Sequence, residues 1–310
     1  MYSKTTELLG PYKTIKLTNN DSGEYISVIP ELGGRVHEIA LRSKERLLQV
    51  LDNEKDVEAF KDERWYRGVI LLPFPNRVRD GKYEFSGREF SLPINMPGEG
   101  HAIHGLMYNK IFSVMEGGGE NTITLEYDNK ENEGYPFPCL VRYTFALGQH
   151  EVGCRVEVQN KGEAALPLGV GWHPYFNLEV DVDNLLLKMP SVASLSVDER
   201  MIPTGEKDSF EDYEEMSQIY DTEFDTGFQI QDEGEVVTSI HNQDTDVTLE
   251  LFQTAGAQGF NYVQVFTPPG RKSVAIEPMT CPTDAFNSKE ALIILGKGET
   301  WSGNFGVRLR

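Results

Sequence analysis

The chain has 310 residues, with 29 Lys plus Arg against 49 Asp plus Glu, a formal charge of −20 at neutral pH. Hydrophobic residues make up 39% and glycines number 29, which is enough apolar content for a sizeable core and too much for a mainly disordered chain. So acidic a surface repels nucleic acid and anionic membranes, so neither is expected as a partner; it also weighs against highly phosphorylated substrates unless a local basic pocket reverses it.

At the N-terminus, MYSKTTELLGPYKTIKL holds no apolar run of signal-peptide length, and no segment approaches the ~20 apolar residues of a membrane span. Short runs rich in β-branched and aromatic residues, bounded by Gly, Pro, Asn and Asp, then follow one another. TIKL near residue 15, 24–30, 122–128, 141–147, 152–160, 236–242, 246–252 and 261–268 all read as strands. In 122–128, Ile123, Leu125 and Tyr127 alternate with Thr122, Thr124 and Glu126, the period of a strand with one face buried. Helical periodicity is scarce: 44–64 is the best helix candidate, and SKEAL (288–292) reads as a single turn. This ratio predicts an all-β fold of stacked antiparallel sheets. The acidic run 208–216 reads as a solvated loop. With no long linker and no fixed repeat, one domain over residues 1–310 is expected. Cys139, Cys154 and Cys281 are widely separated, cannot all pair, and form no C-x-x-C, so a reducing cytoplasm is the expected compartment.

Four segments hold residues suited to acid–base chemistry. In PFPNRVRDGKYEF (73–85), Pro73 and Pro75 stiffen the approach to Arg77. A guanidinium held this way suits hydroxyls or a carboxylate, and pairing with one of the many acidic side chains is the equal alternative. Of the six histidines, His37, His150 and His241 have plain strand-like flanks and read as structural. His101 and His104 lie in Gly-bounded PGEGHAIHGLM, and His173 lies in GVGWHPYFNL, a strand-to-loop segment. In SVAIEPMTCPTDAFN (273–287), Glu277 ends an apolar approach. Burial there would raise its pKa and suit a general base, while a structural Glu capping backbone N–H groups is the alternative. No phosphate-cradling loop, H-E-x-x-H or G-x-S-x-G is present, so no cofactor is expected.

Taken in order, these segments resemble the aldose 1-epimerase (galactose mutarotase) family over nearly the whole chain. ELGGRVHEIAL (31–41) resembles its early Gly-containing strand, and PFPNR its stretch with a sugar-binding arginine, here Arg77. HAIHGL resembles its His-Gly motif, which points to His104 rather than His101. GYPFP (134–138) and LSVDERMIPTG (195–205) resemble two landmarks read as structural. GWHPYFNL matches the second-histidine motif at His173, and EFDTGF (223–228) the segment supplying an aspartate, best matched by Asp225 with Asp221 as the alternative. AIEPMTCPTDAFN matches the catalytic glutamate at Glu277. LGKGETW (295–301) departs from the pattern with Lys297 where the family often has Pro.

The resemblance implies a large antiparallel β-sandwich of the galactose mutarotase-like supersandwich type. It also implies interconversion of the α and β anomers of a free aldose, a small-molecule sugar such as galactose or glucose. Glu277 would be the base and His173 the acid; His104, Arg77 and Asp225 would bind the sugar, with Trp172 or Tyr175 as an aromatic platform. No metal is implied, and the protein would act as a monomer or homodimer. Three rival readings remain open: a hexose-6-phosphate epimerase, for which only Arg79 and Lys82 lie near Arg77; a non-catalytic carbohydrate-binding protein; and a metalloenzyme using His101, His104, His173 and a carboxylate.

Overall fold

A computed structural model describes residues 1–53, 60, 65–130 and 132–310. The predicted strands form with shifted ends: the run near residue 15 lies within Tyr12–Asn19, and 141–147 and 152–160 lie within the hairpin Cys139–Leu147 and Glu151–Asn160, while 24–30 and 261–268 shorten to Tyr25–Ile29 and Tyr262–Phe266. In Cys139–Leu147 every second residue is buried, as the pleat requires of a sheet with one covered face.

The strands pair antiparallel into three large sheets. Residues 2–49 form a five-stranded meander. A nine-stranded sheet runs in the order Ser113–Val114, Thr122–Asn129, Cys139–Leu147, Glu151–Asn160, Thr300–Leu309, Val247–Ala255, Gly234–Asn242, Leu185–Lys188 and Ser217–Gln218. An eight-stranded sheet has Pro203–Phe210 at one edge, followed by Val192–Val197, Asp225–Ile230, Tyr262–Phe266, Val274–Met279, Gly171–Trp172 and Ile70–Leu71; Tyr175–Phe176 also pairs with Val274–Met279. One continuous core joins all three, with Leu17 and Ile26 from the meander, Val141 and Phe305 from the large sheet, and Phe228, Val265 and Ile276 from the third. This is an all-β sandwich. Trp172 stacks on Phe305 at 5.3 Å and joins the eight- and nine-stranded sheets.

Three expectations are corrected. Residues 44–50 are not helical: Lys44 takes φ 54, and Arg46–Gln49 folds back on the preceding strand with Arg46 opposite Ser43 and Leu48 opposite Leu41. The tight turn and the sheet edge override the weak helical pattern. Residues 51–53 are not helical either, and 54–59 and 61–64 lie outside the described residues. In the second case the helical turn is Ala285–Ser288, and Lys289 at φ 66 ends it where SKEAL begins. Third, the acidic run does not start as a loop: Asp208, Ser209 and Phe210 complete the edge strand Pro203–Phe210, and Tyr213 beyond it is buried.

Candidate active site

The eight-stranded sheet positions half of the site. Side chains alternate in direction along a strand, so Trp172 enters the core while His173 faces the other way, and Tyr175 shares its side. His173 is clamped through its backbone, its N–H donating to the Val69 carbonyl (2.9 Å) and its carbonyl accepting from Gly68 N–H (2.8 Å). Its ring stacks on Tyr175 with centroids 4.9 Å apart and an 8° tilt. Every residue of the adjacent strand Val274–Met279 is buried, which leaves the Glu277 carboxyl beyond the reach of bulk water. Gln264 lies directly opposite Glu277 in register. The Gln264 Nε2 donates to Asp225 Oδ1 at 2.9 Å, which ties the start of Asp225–Ile230 to the same patch.

A short ribbon supplies the other half. Arg77–Val78 pairs antiparallel with Ala102–Ile103, which brings His104 beside Asn76, whose carbonyl accepts the His104 N–H at 2.9 Å. Asn76 and His104 both hold positive φ, 53° and 59°, a conformation that costs energy for any residue but glycine and concentrates at functional sites. Gly105 explains the second half of the His-Gly motif. It has φ 79°, and a Cβ there would sit 2.2 Å from the Leu72 carbonyl oxygen.

These residues line one cleft of about 280 Å³, with Arg77, Glu99, His104, His173, Tyr175, Asp225, Gln264, Phe266 and Glu277 in its wall. His173 Nε2 lies 3.4 Å from Glu277 Oε1, and the His104 and His173 rings meet edge-to-face at 5.0 Å. Glu277 Oε2, His104 Nδ1 and His173 Nδ1 are buried with no hydrogen-bond partner among the described residues. Buried polar atoms are ordinarily paired, so open donors and acceptors gathered at one cleft mark a place built for a polar ligand.

Burial sets the protonation. It raises the Glu277 carboxyl well above its ordinary range, aided by Asp225 and opposed by Arg77. Burial also pushes His173 down to about 3, with Arg67 adding to the effect and a contact with its own backbone opposing it. His104 is pushed low by burial and by the His173 and Arg77 charges. The cleft therefore favours neutral Glu277 and neutral imidazoles when unoccupied. Asp225 is different. Burial by the cleft walls raises its carboxyl, against the pull of Arg77 and the Gln264 hydrogen bond, while its surface stays open to solvent.

All five residues singled out from the sequence, Glu277, His173, His104, Arg77 and Asp225, meet in this cleft. Asp221 is exposed and is not among the lining residues. His101 is also separate: it is fully buried, and its Nδ1 accepts the Asp80 N–H at 3.1 Å. Trp172 is a core residue and no platform, its indole N–H donating to the Gly68 carbonyl at 3.3 Å; Tyr175, with Phe266 and Trp65, lines the cleft instead. Arg77 lines the cleft and pairs with Glu99 at 2.6 Å. Arg79 faces Asp284 at 3.6 Å, and neither it nor Lys82 lines the cleft. Among the described residues no group of three or more His, Cys, Asp or Glu is placed to hold a metal ion, and no helix is long and apolar enough to cross a membrane. Glu99, Gln264 and Phe266 are lining residues that no local sequence signal marks.

A galactose mutarotase-like protein from Clostridium acetobutylicum superposes with a TM-score of 0.86 at 21% identity, covering 100% of this chain and 98% of its own. The chain belongs to the aldose 1-epimerase family, whose model matches residues 13–308. The uncharacterized protein YihR of Escherichia coli K12 is 30% identical over 286 residues, 90% of this chain and 88% of that protein. The galactose mutarotase of Rattus norvegicus is 25% identical over 205 residues, 57% of this chain and 59% of its own.

Proposed function

We propose that the chain is an aldose 1-epimerase that interconverts the α and β anomers of a free hexose such as galactose or glucose, with residues 1–310 acting as one domain. Anomerisation requires a proton to leave O1 and another to reach the ring oxygen as the C1–O5 bond breaks. Glu277 and His173 suit this because together they hold a single exchangeable proton. With that proton on His173 and Glu277 ionised, the carboxylate takes the O1 proton while Nε2–H protonates O5, and the open-chain aldehyde forms. Rotation about C1–C2 presents the other carbonyl face. O5 then attacks C1, returning its proton to His173, while the Glu277 carboxyl protonates O1. The pair ends as it began.

The tautomer that starts the reaction is the disfavoured one in the unoccupied cleft. Sugar hydroxyls donating to Glu277 Oε2, which has no partner among the described residues, would stabilise the carboxylate and move the proton to His173. His104, Arg77 and Asp225 would hold ring hydroxyls and restrict the sugar's orientation. The observation that carries this reading is the buried His173–Glu277 pair, 3.4 Å apart, in a cleft with open hydrogen-bonding atoms. Polarimetry on freshly dissolved α-D-galactose and α-D-glucose tests it. Catalysed decay of optical rotation is expected, and decay at the buffer rate for both sugars would refute the reading.

A further inference from the structure

The geometry points to Glu99 as a specificity-determining residue that fills the fork of Arg77 and turns the cleft against aldoses bearing a carboxylate or phosphate. The inference rests on the mutarotase reading of this cleft and narrows its substrate class to uncharged sugars.

Glu99 grips Arg77 along one edge of the guanidinium, with Nε donating to Oε2 at 2.6 Å and Nη2 donating to Oε1 at 3.3 Å. Nη1 donates to Asn76 Oδ1 at 3.1 Å. Three of the five N–H groups of an arginine are thereby used, and the two that remain do not form the parallel Nε/Nη2 pair. An anionic group binds arginine best through such a fork. Here a resident carboxylate already occupies it. The one N–H left on each of Nη1 and Nη2 still suits a hydroxyl, which needs one bond and brings no charge, whereas a second anion there would face Glu99 across the same guanidinium.

The electrostatics agree. Among the described lining residues Arg77 is the one arginine or lysine, paired with Glu99 and acting on Asp225. The Glu277–His173 pair adds no net charge while it shares one proton. Glu99 thereby offsets the Arg77 charge inside the cleft, so an entering anion finds no unneutralised cation among these groups and meets the repulsion of Glu99 at short range. Glu99 acts on Asp225 in the same sense, raising its carboxyl, though by less than Arg77 and the Gln264 hydrogen bond lower it.

Glu99 is also held in place. Its N–H donates to the Met96 carbonyl at 3.1 Å, and Gly100 N–H reaches the same oxygen at 2.9 Å. Arg200, from the 195–205 hairpin, pairs with Asp80 at 2.6 Å and reaches the Glu99 carbonyl at 3.4 Å. A repulsive group fixed in a binding site discriminates against the wrong ligand without tightening the right one.

The test compares wild type, Glu99→Gln and Glu99→Asp on D-galactose, D-galacturonate and D-glucose 6-phosphate. Polarimetric kcat/KM and calorimetric binding are both measured, at low salt and at 0.5 M NaCl. Wild type should favour galactose over both anions by more than about tenfold at low salt, and less at high salt. Glu99→Gln should narrow that ratio at least about tenfold, whereas Glu99→Asp, which keeps the charge, should preserve most of it. A merely structural Glu99 would lower all three sugars together. A ratio unchanged in Glu99→Gln, or a wild type that treats the anions like galactose, overturns the proposal. If wild type binds sugars but accelerates none, the mutarotase reading fails while the binding ratios still decide the role of Glu99. If no sugar binds, both fail.

Discussion

Replacing Glu277 by Gln removes one proton acceptor and changes almost nothing else. The amide has the shape of the carboxyl, so the 3.4 Å approach to His173 and the packing of Val274–Met279 are retained. What disappears is the base. General base catalysis contributes about 10²–10⁴-fold, equivalent to about 3–5 kcal/mol of barrier, so kcat for galactose should fall by that factor. Stability should move the other way at alkaline pH. The native carboxyl pKa lies well above its ordinary 4.5 because of burial, so above 4.5 the native state holds a proton that the unfolded chain has lost. Stability due to the protonated carboxyl is complete below about 4.5 and declines as pH rises through the raised native value. Glutamine cannot ionise and escapes that decline. Polarimetry with thermal melts at pH 4.5 and 8.5 should show a nearly inactive variant whose melting temperature at pH 8.5 matches or exceeds that of wild type. Retention of more than a third of wild-type kcat would refute the base assignment, and a variant less stable at pH 8.5 than at pH 4.5, relative to wild type, would refute the buried-acid reasoning.

Other outcomes are equally checkable. His173→Asn should lower kcat by about 10²-fold or more. Because native His173 titrates at about 3 against an ordinary 6.5, stability due to the neutral ring is complete above 6.5 and lost as pH falls toward 3, so the variant's melting temperature should fall less than wild type's between pH 7 and 4. Asp225→Asn, at the solvent-accessible part of the cleft, should raise KM several-fold with a smaller change in kcat if Asp225 holds a ring hydroxyl; equal kinetics on several aldoses would exclude that role. Gly105→Ala places a methyl 2.2 Å from the Leu72 carbonyl oxygen at φ 79°, and the strain alone amounts to about 1–3 kcal/mol, so a loss of several degrees in melting temperature is expected by calorimetry.

Strands whose side chains alternate were legible as such. Cys139–Leu147 and Val247–Ala255 bury every second residue over most of their length, and their sequences show it directly. Two exposed strands escaped. Tyr2–Leu9 and Pro203–Phe210 are largely exposed edge strands, held by backbone pairing that any side chain permits. Thr300–Leu309 is a central strand disguised by glycines: at Gly306 a Cβ would fall 2.4 Å from both the Phe252 ring and the Val152 carbonyl oxygen, so the close approach of neighbouring elements demands a residue that local propensity penalises.

For the site, the sequence by itself determined which residue types were available and in what order, because short-range constraints leave local marks: prolines before Arg77, glycine after His104, and an apolar run into Glu277. Only the tertiary structure decided which of them share a cleft. His101 and His104 are three residues apart, yet one satisfies a backbone N–H while the other faces His173. Asp221 and Asp225 are separated by pairing alone, since Asp225 opens a strand bonded to Tyr262–Phe266. The Glu99 grip on Arg77 left no local trace, because a contact between side chains 22 residues apart depends on how a loop closes over a ribbon, and no sequence period encodes that distance.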